Sequence, residues 1–576
     1  MAANTLTKPH VISEPAVLGG RTFAGIQSQR LFNWQFLVLA SIWLLLALIE
    51  LFGRSFIPVD ETRYVTVAWN MHLSGDFLVP MLNGMPYSDK PPLLFWLINL
   101  GWSVFGVSDW WPRLLTCLVA LGNAWLIMLL ARRLWPQLQQ TPMHAALMLS
   151  GTALWAALGT AVMFDMLLAL FTLLGMLGLV MAMQDRIRAG WALFAMAIAG
   201  GLLAKGPAIF LHVLPAMLLA PWWLRSRAMN WRYWYAGAGA ASAIGISLAL
   251  LWAIPAALHG GEHYAQAILW GQSAHRLVNA FAHQREVWWY LPLLPILFFP
   301  WLLWGALWKA AVSMRKNGLD EGTRFCLSWL GSTFVLFSLV SGKQIHYLLP
   351  LLPAFALLAA RVLQETPKVQ HRQGLPVLLV IVGLAILLLH PPAWVEDHPA
   401  TAWVVHIPTW TPLLLIAGSA GLWFGFRNRL QAKLWALALV SMLLAGVIHL
   451  GVIRAAGTAY DVRPIAHHLE HLEQIGVPLA HAGPYPGIYD FIGRLQQSPQ
   501  VLDRPHLSQW FAEHPEGRAV IYFNRKNPLD GLDLEFLQDY LKMQVGVVDN
   551  AQWETWCSAH PANCGRPGSR PLTSGH

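Results

Sequence analysis

The chain has 576 residues, of which 56% are hydrophobic and only 12% are charged. Soluble globular proteins carry about 25% charged residues, so this composition excludes an ordinary soluble fold and indicates a protein of the lipid bilayer. The net charge of +9 is spread over short loops between apolar blocks, which excludes the single basic patch of a nucleic-acid-binding protein.

Long apolar stretches follow one another along most of the chain. Residues 1–32 contain none, and we expect them to form a cytoplasmic N-terminal segment. A helix needs about 20 apolar residues to cross the hydrocarbon core. Thirteen stretches approach that length, at 33–52, 112–131, 143–163, 166–183, 190–204, 207–224, 232–257, 289–312, 324–342, 345–362, 375–391, 409–426 and 434–453. The shorter stretch 93–107 follows Pro91-Pro92, so we interpret it as an interfacial or re-entrant helix.

The basic residues in the loops indicate how these helices are oriented. With the N-terminus inside, every cytoplasmic loop holds at least two cations, as the positive-inside bias predicts. These cations are Arg132 and Arg133, Arg186 and Arg188, Arg225, Arg227 and Arg232, Arg315, Lys316 and Arg324, Arg361, Lys368 and Arg372, and Arg427, Arg429 and Lys433. The prediction is a polytopic α-helical membrane domain at 33–453, with outer loops at 53–111 and 258–288.

The region 454–576 is more polar than the rest and, after an odd number of spans, lies outside. A helix-like run at 464–475 and a strand-like run at 519–523 predict a small α/β domain with a disordered tail. Cys557 and Cys564 lie in this region and can pair there if it is extracytoplasmic. The other two cysteines, Cys117 and Cys326, lie in apolar stretches and are interpreted as small hydrophobic residues.

Acidic and basic side chains gather on the predicted outer face, at helix ends and in the two outer loops. Each of them alone can be explained as a side chain that reaches the interface for solvation. They come from six separate segments of the chain. This favours a functional site, because placing an ionisable group beside hydrocarbon costs free energy. Carboxylates beside several Lys and Arg residues suit a phosphate-bearing ligand and a reaction that stabilises developing charge.

Five segments carry a family resemblance. They are Asp60-Glu61-Thr62-Arg63-Tyr64, the run SGDFLVPMLNGMPYSDKPPLLFW at 74–96, Phe164-Asp165-Met166, Ala204-Lys205-Gly206-Pro207, and the segment from Lys343 to His346-Tyr347. In this order they resemble the bacterial lipid A aminoarabinose transferases and, more distantly, the protein O-mannosyltransferases, both of the GT-C superfamily. The resemblance implies a GT-C fold of about 13 transmembrane helices with interfacial helices on the outer face and a periplasmic C-terminal domain.

The resemblance also implies a reaction and its residues. The donor is a sugar on polyprenyl (undecaprenyl) phosphate, used without a nucleotide sugar on the periplasmic face of the inner membrane, with inversion at the anomeric carbon. Asp60 and Asp165 match catalytic acids. The expected substrate-binding residues are Glu61, Arg63, Tyr64, Asp89, Lys90, Lys205, Arg276, Lys343, His346 and Tyr347. The chain departs from the family at Asp89, where the relatives usually have Glu, and this leaves the sugar and any metal contact there open.

Several alternatives remain open from the sequence. A lipid A phosphate is already a nucleophile, whereas a protein Ser or Thr hydroxyl would need Asp60 as general base. A transporter of lipid-linked sugars is disfavoured because no internal repeat is visible. The sugar can be aminoarabinose, galactosamine or glucosamine. No cofactor or metal ligand is assigned, although a divalent metal stays open; His467 and His471 are interpreted as a solvated helix face. We expect a monomer.

Overall fold

The structure is a computed structural model of the chain. It describes every residue except 1–33, 185, 226, 270–283, 366–368, 397–400, 427–428, 525–533, 561–563 and 565–576. The predicted cytoplasmic N-terminal segment and the predicted disordered tail therefore lie outside the described residues.

The first half of the chain is helical apart from one small hairpin. Its elements are α1 Trp34–Gly53, α2 Asp60–Ser74, β1 Met81–Leu82, β2 Met85–Pro86, α3 Leu93–Phe105, α4 Trp110–Leu134, α5 Thr141–Ser150, α6 Ala153–Leu158, α7 Phe164–Met183, α8 Ile187–Lys205, α9 Ala208–Leu218, α10 Ala220–Trp223, α11 Trp231–Gly260 and α12 Glu262–Gln266. Helix α2 has two carboxylates in its first turn, where the helix dipole favours them, and it ends at Gly75 in the left-handed conformation.

The second half of the chain contains further helices and, near its C-terminal end, the strands of a second sheet. The helices are α13 Leu294–Leu297, α14 Gly305–Asn317, α15 Glu321–Leu339, α16 Leu352–Leu363, α17 Leu375–Leu389, α18 Ala393–Glu396, α19 Trp410–Gly425, α20 Leu430–Val447, α21 Arg454–Tyr460, α22 Arg463–Gln474, α23 Leu507–Glu513 and α24 Asn550–Ala559. The strands are β3 Leu479–Ala482, β4 Gln500–Leu502, β5 Arg518–Asn524, β6 Phe536–Tyr540 and β7 Met543–Val548. A 3₁₀ segment, Ile345–Leu351, precedes α16.

Eight helical segments in the described part of the chain are long and apolar enough to cross a membrane. They are Trp34–Gly53, Trp110–Leu134, Phe164–Met183, Ile187–Lys205, Trp231–Gly260, Ile345–Leu363, Arg372–Leu389 and Leu430–Gly457. The predicted stretch 143–163 is instead divided at Gly151 into two short helices, and 289–312 is broken by turns around Pro292, Pro295 and Pro300. Proline removes a helix hydrogen bond, which accounts for the second break. The helical membrane fold is confirmed, whereas the number thirteen stays a prediction.

Helices α7 and α8 form a closely packed antiparallel pair. At Gly178 an added Cβ would lie 2.8 Å from the carbonyl oxygen of Gly190, so only glycine permits this distance. Because the two helices run in opposite directions, the first turn of α7 and the last turn of α8 lie at the same end. That arrangement brings Asp165 and Lys205 together.

The C-terminal region contains a five-stranded sheet with strand order β4-β3-β5-β7-β6. Strand β3 is parallel to β4 and β5, and β7 is antiparallel to β5 and β6. The amphipathic helix α22 buries Ile465, Leu469 and Leu472 in one core cluster with the valines of the sheet. Cys557 and Cys564 form a disulfide, whereas Cys117 and Cys326 are free and buried.

Candidate active site

The first turn of α2 presents three of the predicted residues together. The guanidinium of Arg63 lies 2.6 Å from the carboxylate of Asp60, and the Tyr64 hydroxyl is 3.4 Å from the same oxygen. Helical neighbours three and four positions apart lie on one face, which is why this motif can assemble locally. The Asp60 side chain keeps 48% of its surface exposed, so it remains accessible to a substrate.

Tyr64 connects this turn to the helix that carries the second acid. It is buried, and its ring packs edge-on against Phe164 with 4.9 Å between the ring centroids. Burial raises the pKa of the Tyr64 hydroxyl well above its usual range, and the carboxylate of Asp60 raises it further. Tyr64 therefore stays protonated and can donate a hydrogen bond toward Asp60.

Asp165 and Lys205 form the second charged pair. The Lys205 ammonium is 2.6 Å from the Asp165 carboxylate. Asp165 is buried, with only 2% of its surface exposed. The same ammonium lies over the ring of Tyr347, 4.7 Å from its centroid. The carboxylate and the aromatic face together hold this cation in one place.

His346 links the two charged pairs. Its ring packs edge-on against Tyr347 and is within electrostatic range of Asp165, Lys205, Asp60 and Lys90. Residues from α2, the segment before α3, α7, α8 and the 3₁₀ segment therefore converge on one charged site. Such a cluster of acids and bases at helix ends can bind a phosphate and stabilise charge as a glycosidic bond breaks.

Glu61 lies next to Asp60 in sequence but is turned into the protein. Its carboxylate accepts hydrogen bonds from both terminal nitrogens of Arg54, from the Ile57 amide and from the Val162 amide. Burial is the largest effect and opposes its charge. The attraction of Arg54 and Arg113, together with the hydrogen bonds from Ile57 and Arg54, outweighs burial, so the pKa of this carboxyl lies below its usual value. Both carboxylate oxygens are engaged within the protein.

The remaining predicted residues have different surroundings. Lys343 is buried, and its ammonium donates to the carbonyls of Arg285 and Val340. Asp89 is partly buried beside Lys90, which itself interacts with the Asp165 charge. Arg276 lies outside the described residues.

The structure also contains charged residues that the sequence analysis did not select. Arg54, at the end of α1, forms ion pairs with both Glu50 and Glu61. Arg113 donates to the Arg54 carbonyl and lies over the ring of Phe56. The Glu50–Arg54 pair could have been predicted from the sequence, because the two residues lie four positions apart at the end of an apolar span.

The C-terminal region packs directly on α2. Thr66 donates to the carbonyl of Gly487 at 2.7 Å, and the Trp69 indole donates to the carbonyl of Leu495 at 2.8 Å. Phe491 is fully buried and stacks on Trp102 with 5.1 Å between the ring centroids. The helix that carries Asp60 is thus held from the sheet-containing side of the molecule as well as from the membrane helices.

The described residues contain no group of three or more His, Cys, Asp or Glu side chains arranged to hold a metal ion. The charged and polar groups described at the site are carboxylates, cations and tyrosines. These groups can bind an anion, orient a nucleophile and stabilise a cationic sugar ring.

Relatives of known sequence resemble this chain over most of its length. Residues 89–252 match the family described as dolichyl-phosphate-mannose-protein mannosyltransferase. The chain is 30% identical to an undecaprenyl phosphate-α-4-amino-4-deoxy-L-arabinose arabinosyl transferase of Pseudomonas aeruginosa over 440 residues, or 72% of this chain and 75% of that protein. It is 28% identical to a transferase of the same name from Pseudomonas fluorescens over 541 residues, or 87% of this chain and 94% of the relative.

A solved structure shares the fold. The crystal structure of ArnT from Cupriavidus metallidurans bound to undecaprenyl phosphate superposes with a TM-score of 0.70. The alignment covers 90% of this chain and 98% of that chain, with 19% sequence identity. This likeness includes the C-terminal region as well as the membrane helices, because so little of either chain is left out.

Proposed function

The chain belongs to the undecaprenyl phosphate-α-4-amino-4-deoxy-L-arabinose arabinosyl transferase family, and on this basis we propose that it transfers 4-amino-4-deoxy-L-arabinose from undecaprenyl phosphate to lipid A. It is a multi-pass glycosyltransferase of the inner membrane. The observation that carries the proposal is the convergence of the Asp60–Arg63 and Asp165–Lys205 pairs around His346. A sugar phosphate needs such a combination of cations and carboxylates.

In the proposed reaction, cations stabilise the departing phosphate. The bond between the anomeric carbon and the phosphate oxygen breaks, and its electron pair leaves with undecaprenyl phosphate. Lys205 and Lys90 bind this phosphate and stabilise the charge that it gains. Asp165 and the ring of Tyr347 hold Lys205 in position for that contact.

Asp60 acts on the opposite side of the sugar. A lipid A phosphate is already ionised, so its oxygen can attack the anomeric carbon without losing a proton first. Asp60 stabilises the positive charge that develops on the sugar ring, and Arg63 orients the attacking phosphate. Attack opposite the leaving group inverts the anomeric carbon. Asp89, with its shorter side chain, is the candidate partner for the amino group of the sugar.

Two predicted substrate contacts are assigned differently. Because both oxygens of Glu61 bind groups of the protein, we assign Glu61 the role of positioning the α2 turn. The Lys343 ammonium donates to two backbone carbonyls. We therefore propose that it holds the backbone before Ile345 in place and does not contact the substrate. Tyr64 and His346 remain candidates for contact with the donor.

The orientation and domain boundaries belong to the same proposal. We assign the transferase site to the periplasmic face, with the catalytic membrane domain at 33–453 and a periplasmic domain from 454 onward. The cations of the predicted cytoplasmic loops support this orientation. We also propose that the protein acts as a monomer.

Mass spectrometry of lipid A tests the proposal. A strain lacking this gene is complemented with the wild-type chain, with Asp60→Asn or with Asp503→Asn, an equivalent change at an exposed position of the C-terminal region. We expect the mass of one aminopentose on lipid A with the wild type and Asp503→Asn, and its loss with Asp60→Asn. Unmodified lipid A in all strains would contradict the proposed acceptor.

The match of residues 89–252 to the protein mannosyltransferase family supports a second candidate acceptor. A Ser or Thr hydroxyl of an envelope protein would need Asp60 as a general base, which its partial exposure permits. The same strains distinguish the two acceptors. Glycosylated envelope proteins that disappear with Asp60→Asn, while lipid A stays unchanged, would favour the protein acceptor.

A further inference from the structure

A polar cavity lies apart from the candidate active site. It has a volume of about 310 Å³ and is formed by residues 51–55 and residues between 453 and 463. None of the residues that we place in the transferase site lines it. Two membrane-length segments, Trp34–Gly53 and Leu430–Gly457, end at this cavity, so it lies where hydrocarbon gives way to water on the Asp60 side.

The cavity is lined by three arginines and one carboxylate. Behind the wall, the two carboxylates of Glu50 and Glu61 face two cations, Arg54 and Arg113. Arg463 is paired with Asp461 at 2.5 Å. Arg454 makes no ion pair or side-chain hydrogen bond with any residue in the described ranges, and its side chain is exposed. One uncompensated cation therefore remains on the wall of the cavity.

The neighbouring wall is apolar. Leu51, Phe52 and Ile453 line the cavity, and 85% of the Phe52 surface is exposed at the end of a membrane-length segment. A phospholipid has a charged phosphate next to apolar acyl chains. An arginine beside an exposed aromatic ring at the membrane surface offers a contact to each of these two parts. A free anion would use only the cationic part of this surface.

We propose that this cavity binds the headgroup of an anionic phospholipid, with its phosphodiester at Arg454 and Arg463 and its acyl chains along Leu51 and Phe52. The single negative charge of such a lipid matches the single uncompensated arginine. A zwitterionic lipid is disfavoured, because its amine needs a carboxylate and Asp461 is already paired. The lipid is neither donor nor acceptor, so the proposal does not depend on the transfer reaction.

The location gives the bound lipid a structural role. Arg54 forms one wall of the cavity and donates a hydrogen bond to Glu61, which follows Asp60 in the first turn of α2. A lipid that fills the cavity covers this wall and keeps the ends of the two spans together. We therefore expect the protein to retain the lipid through purification.

Native mass spectrometry of the purified full-length chain tests the proposal. The detergent-solubilised protein is mixed with phosphatidylglycerol or with phosphatidylethanolamine of identical acyl chains. We expect one phosphatidylglycerol to bind about tenfold more tightly than phosphatidylethanolamine, as a charge-assisted contact would give. Arg454→Gln should remove this preference. The matched control is Arg429→Gln, an exposed arginine at the opposite end of the same span, which should keep it.

Other outcomes overturn the proposal. Equal retention of the two lipids, or an Arg454→Gln protein that keeps the wild-type preference, would show that the cavity is not an anionic-lipid site. Displacement of phosphatidylglycerol by an equal concentration of inorganic phosphate would assign the cavity to a free anion instead. If Arg454→Gln does not elute as a folded protein, Arg463→Gln takes its place, because that side chain is more than half exposed.

Discussion

The carboxylate of Glu61 accepts a hydrogen bond of 2.8 Å from the backbone amide of Val162. Val162 belongs to the loop that leads into α7, three residues before Asp165, and Glu61 follows Asp60 directly. One buried carboxylate therefore ties together the backbone segments that carry both candidate catalytic acids. This contact, together with the packing of Tyr64 on Phe164, holds the two segments against each other.

We expect Glu61→Gln to lower the thermal stability and kcat together, with little change in the KM for the donor. Breaking one side of a buried ion pair costs about 3–5 kcal/mol, because the other charge stays buried. Thermal unfolding and transfer assays in detergent measure the two effects. The control is Glu554→Gln, an exposed carboxylate on α24. A protein that is stable but binds donor weakly would instead favour a direct substrate contact for Glu61.

The pH dependence of that stability difference follows from the lowered pKa of Glu61. A carboxyl with a lower pKa in the folded state adds stability that is fully present above its unfolded pKa. This stability is lost as the pH falls through the folded pKa. The melting temperatures of the wild type and Glu61→Gln should therefore differ at neutral pH and converge in acid. A constant difference down to low pH would contradict the assignment of a charged Glu61.

Lys205→Gln should reduce kcat on the order of a hundredfold, since it removes a cation that stabilises the departing phosphate. Asp165→Asn should also reduce kcat, and the double variant should be little worse than Lys205→Gln alone. Contacting partners are not additive, and a double-mutant cycle of transfer rates measures their coupling. Lys542→Gln, at an exposed turn, is the control. Additive losses would mean that Asp165 acts independently of Lys205.

Tyr347→Phe should retain more activity than Tyr347→Leu. The Lys205 ammonium lies 4.7 Å from the centroid of this ring, and Phe preserves the aromatic face whereas Leu does not. A cation–π contact contributes about 0.5–2 kcal/mol, which corresponds to a difference of a few-fold to about thirtyfold in rate. Initial rates with saturating donor provide the comparison. Equal loss in both variants would indicate that the hydroxyl is the important group.

Phe491→Ala should weaken the attachment of the C-terminal region to α2. The side chain is fully buried, stacks on Trp102 and lies under the guanidinium of Arg494 at 3.9 Å. Large-to-small changes of this kind cost about 3–5 kcal/mol. Limited proteolysis should release the C-terminal region more readily, and activity should fall with it. Leu537→Ala, at an exposed position of β6, serves as the control and should behave like the wild type.

The state of the cysteines tests the proposed orientation. The chain has four cysteines, and Cys557 and Cys564 are paired whereas Cys117 and Cys326 are free. Disulfides persist in the periplasm but are rare in the cytoplasm. Alkylation of the denatured protein from cells should therefore modify two cysteines without reductant and all four after reduction. Modification of all four without reductant would contradict a periplasmic C-terminal domain.

The sequence predicted the features that depend on local pattern. The apolar runs predicted the long helices, and 464–475 and 519–523 correspond to α22 and β5 within one residue at each end. Asp165 and Lys205 lie at the ends of apolar runs and within the motifs that carry the family resemblance. Their ion pair was not predicted, because it depends on how closely α7 and α8 pack at Gly178 and Gly190.

Features that depend on three-dimensional packing were not predictable from a single sequence. Glu61 is part of the same motif as Asp60, and nothing in its sequence neighbourhood indicates that its carboxylate binds Arg54 and Val162. At Gly151, where α5 ends, the Cα of Ala438 would lie 2.5 Å from an added Cβ, and the sequence around Gly151 does not indicate this close approach. The periodicity of apolar residues predicts which face of a helix is buried. It does not predict which residues of two helices contact each other.

The hydrogen bond from Thr66 to Gly487 joins residues that are 421 positions apart. A ribosome that has just finished the helix bearing Asp60 must therefore synthesise most of the remaining polypeptide before that helix gains its last support. Contacts between such distant parts of a chain form late and slowly. A prematurely terminated polypeptide that lacks the final sheet would still insert its membrane helices, yet it would leave α2 without this support. Catalytic competence would thus be withheld until translation is nearly complete.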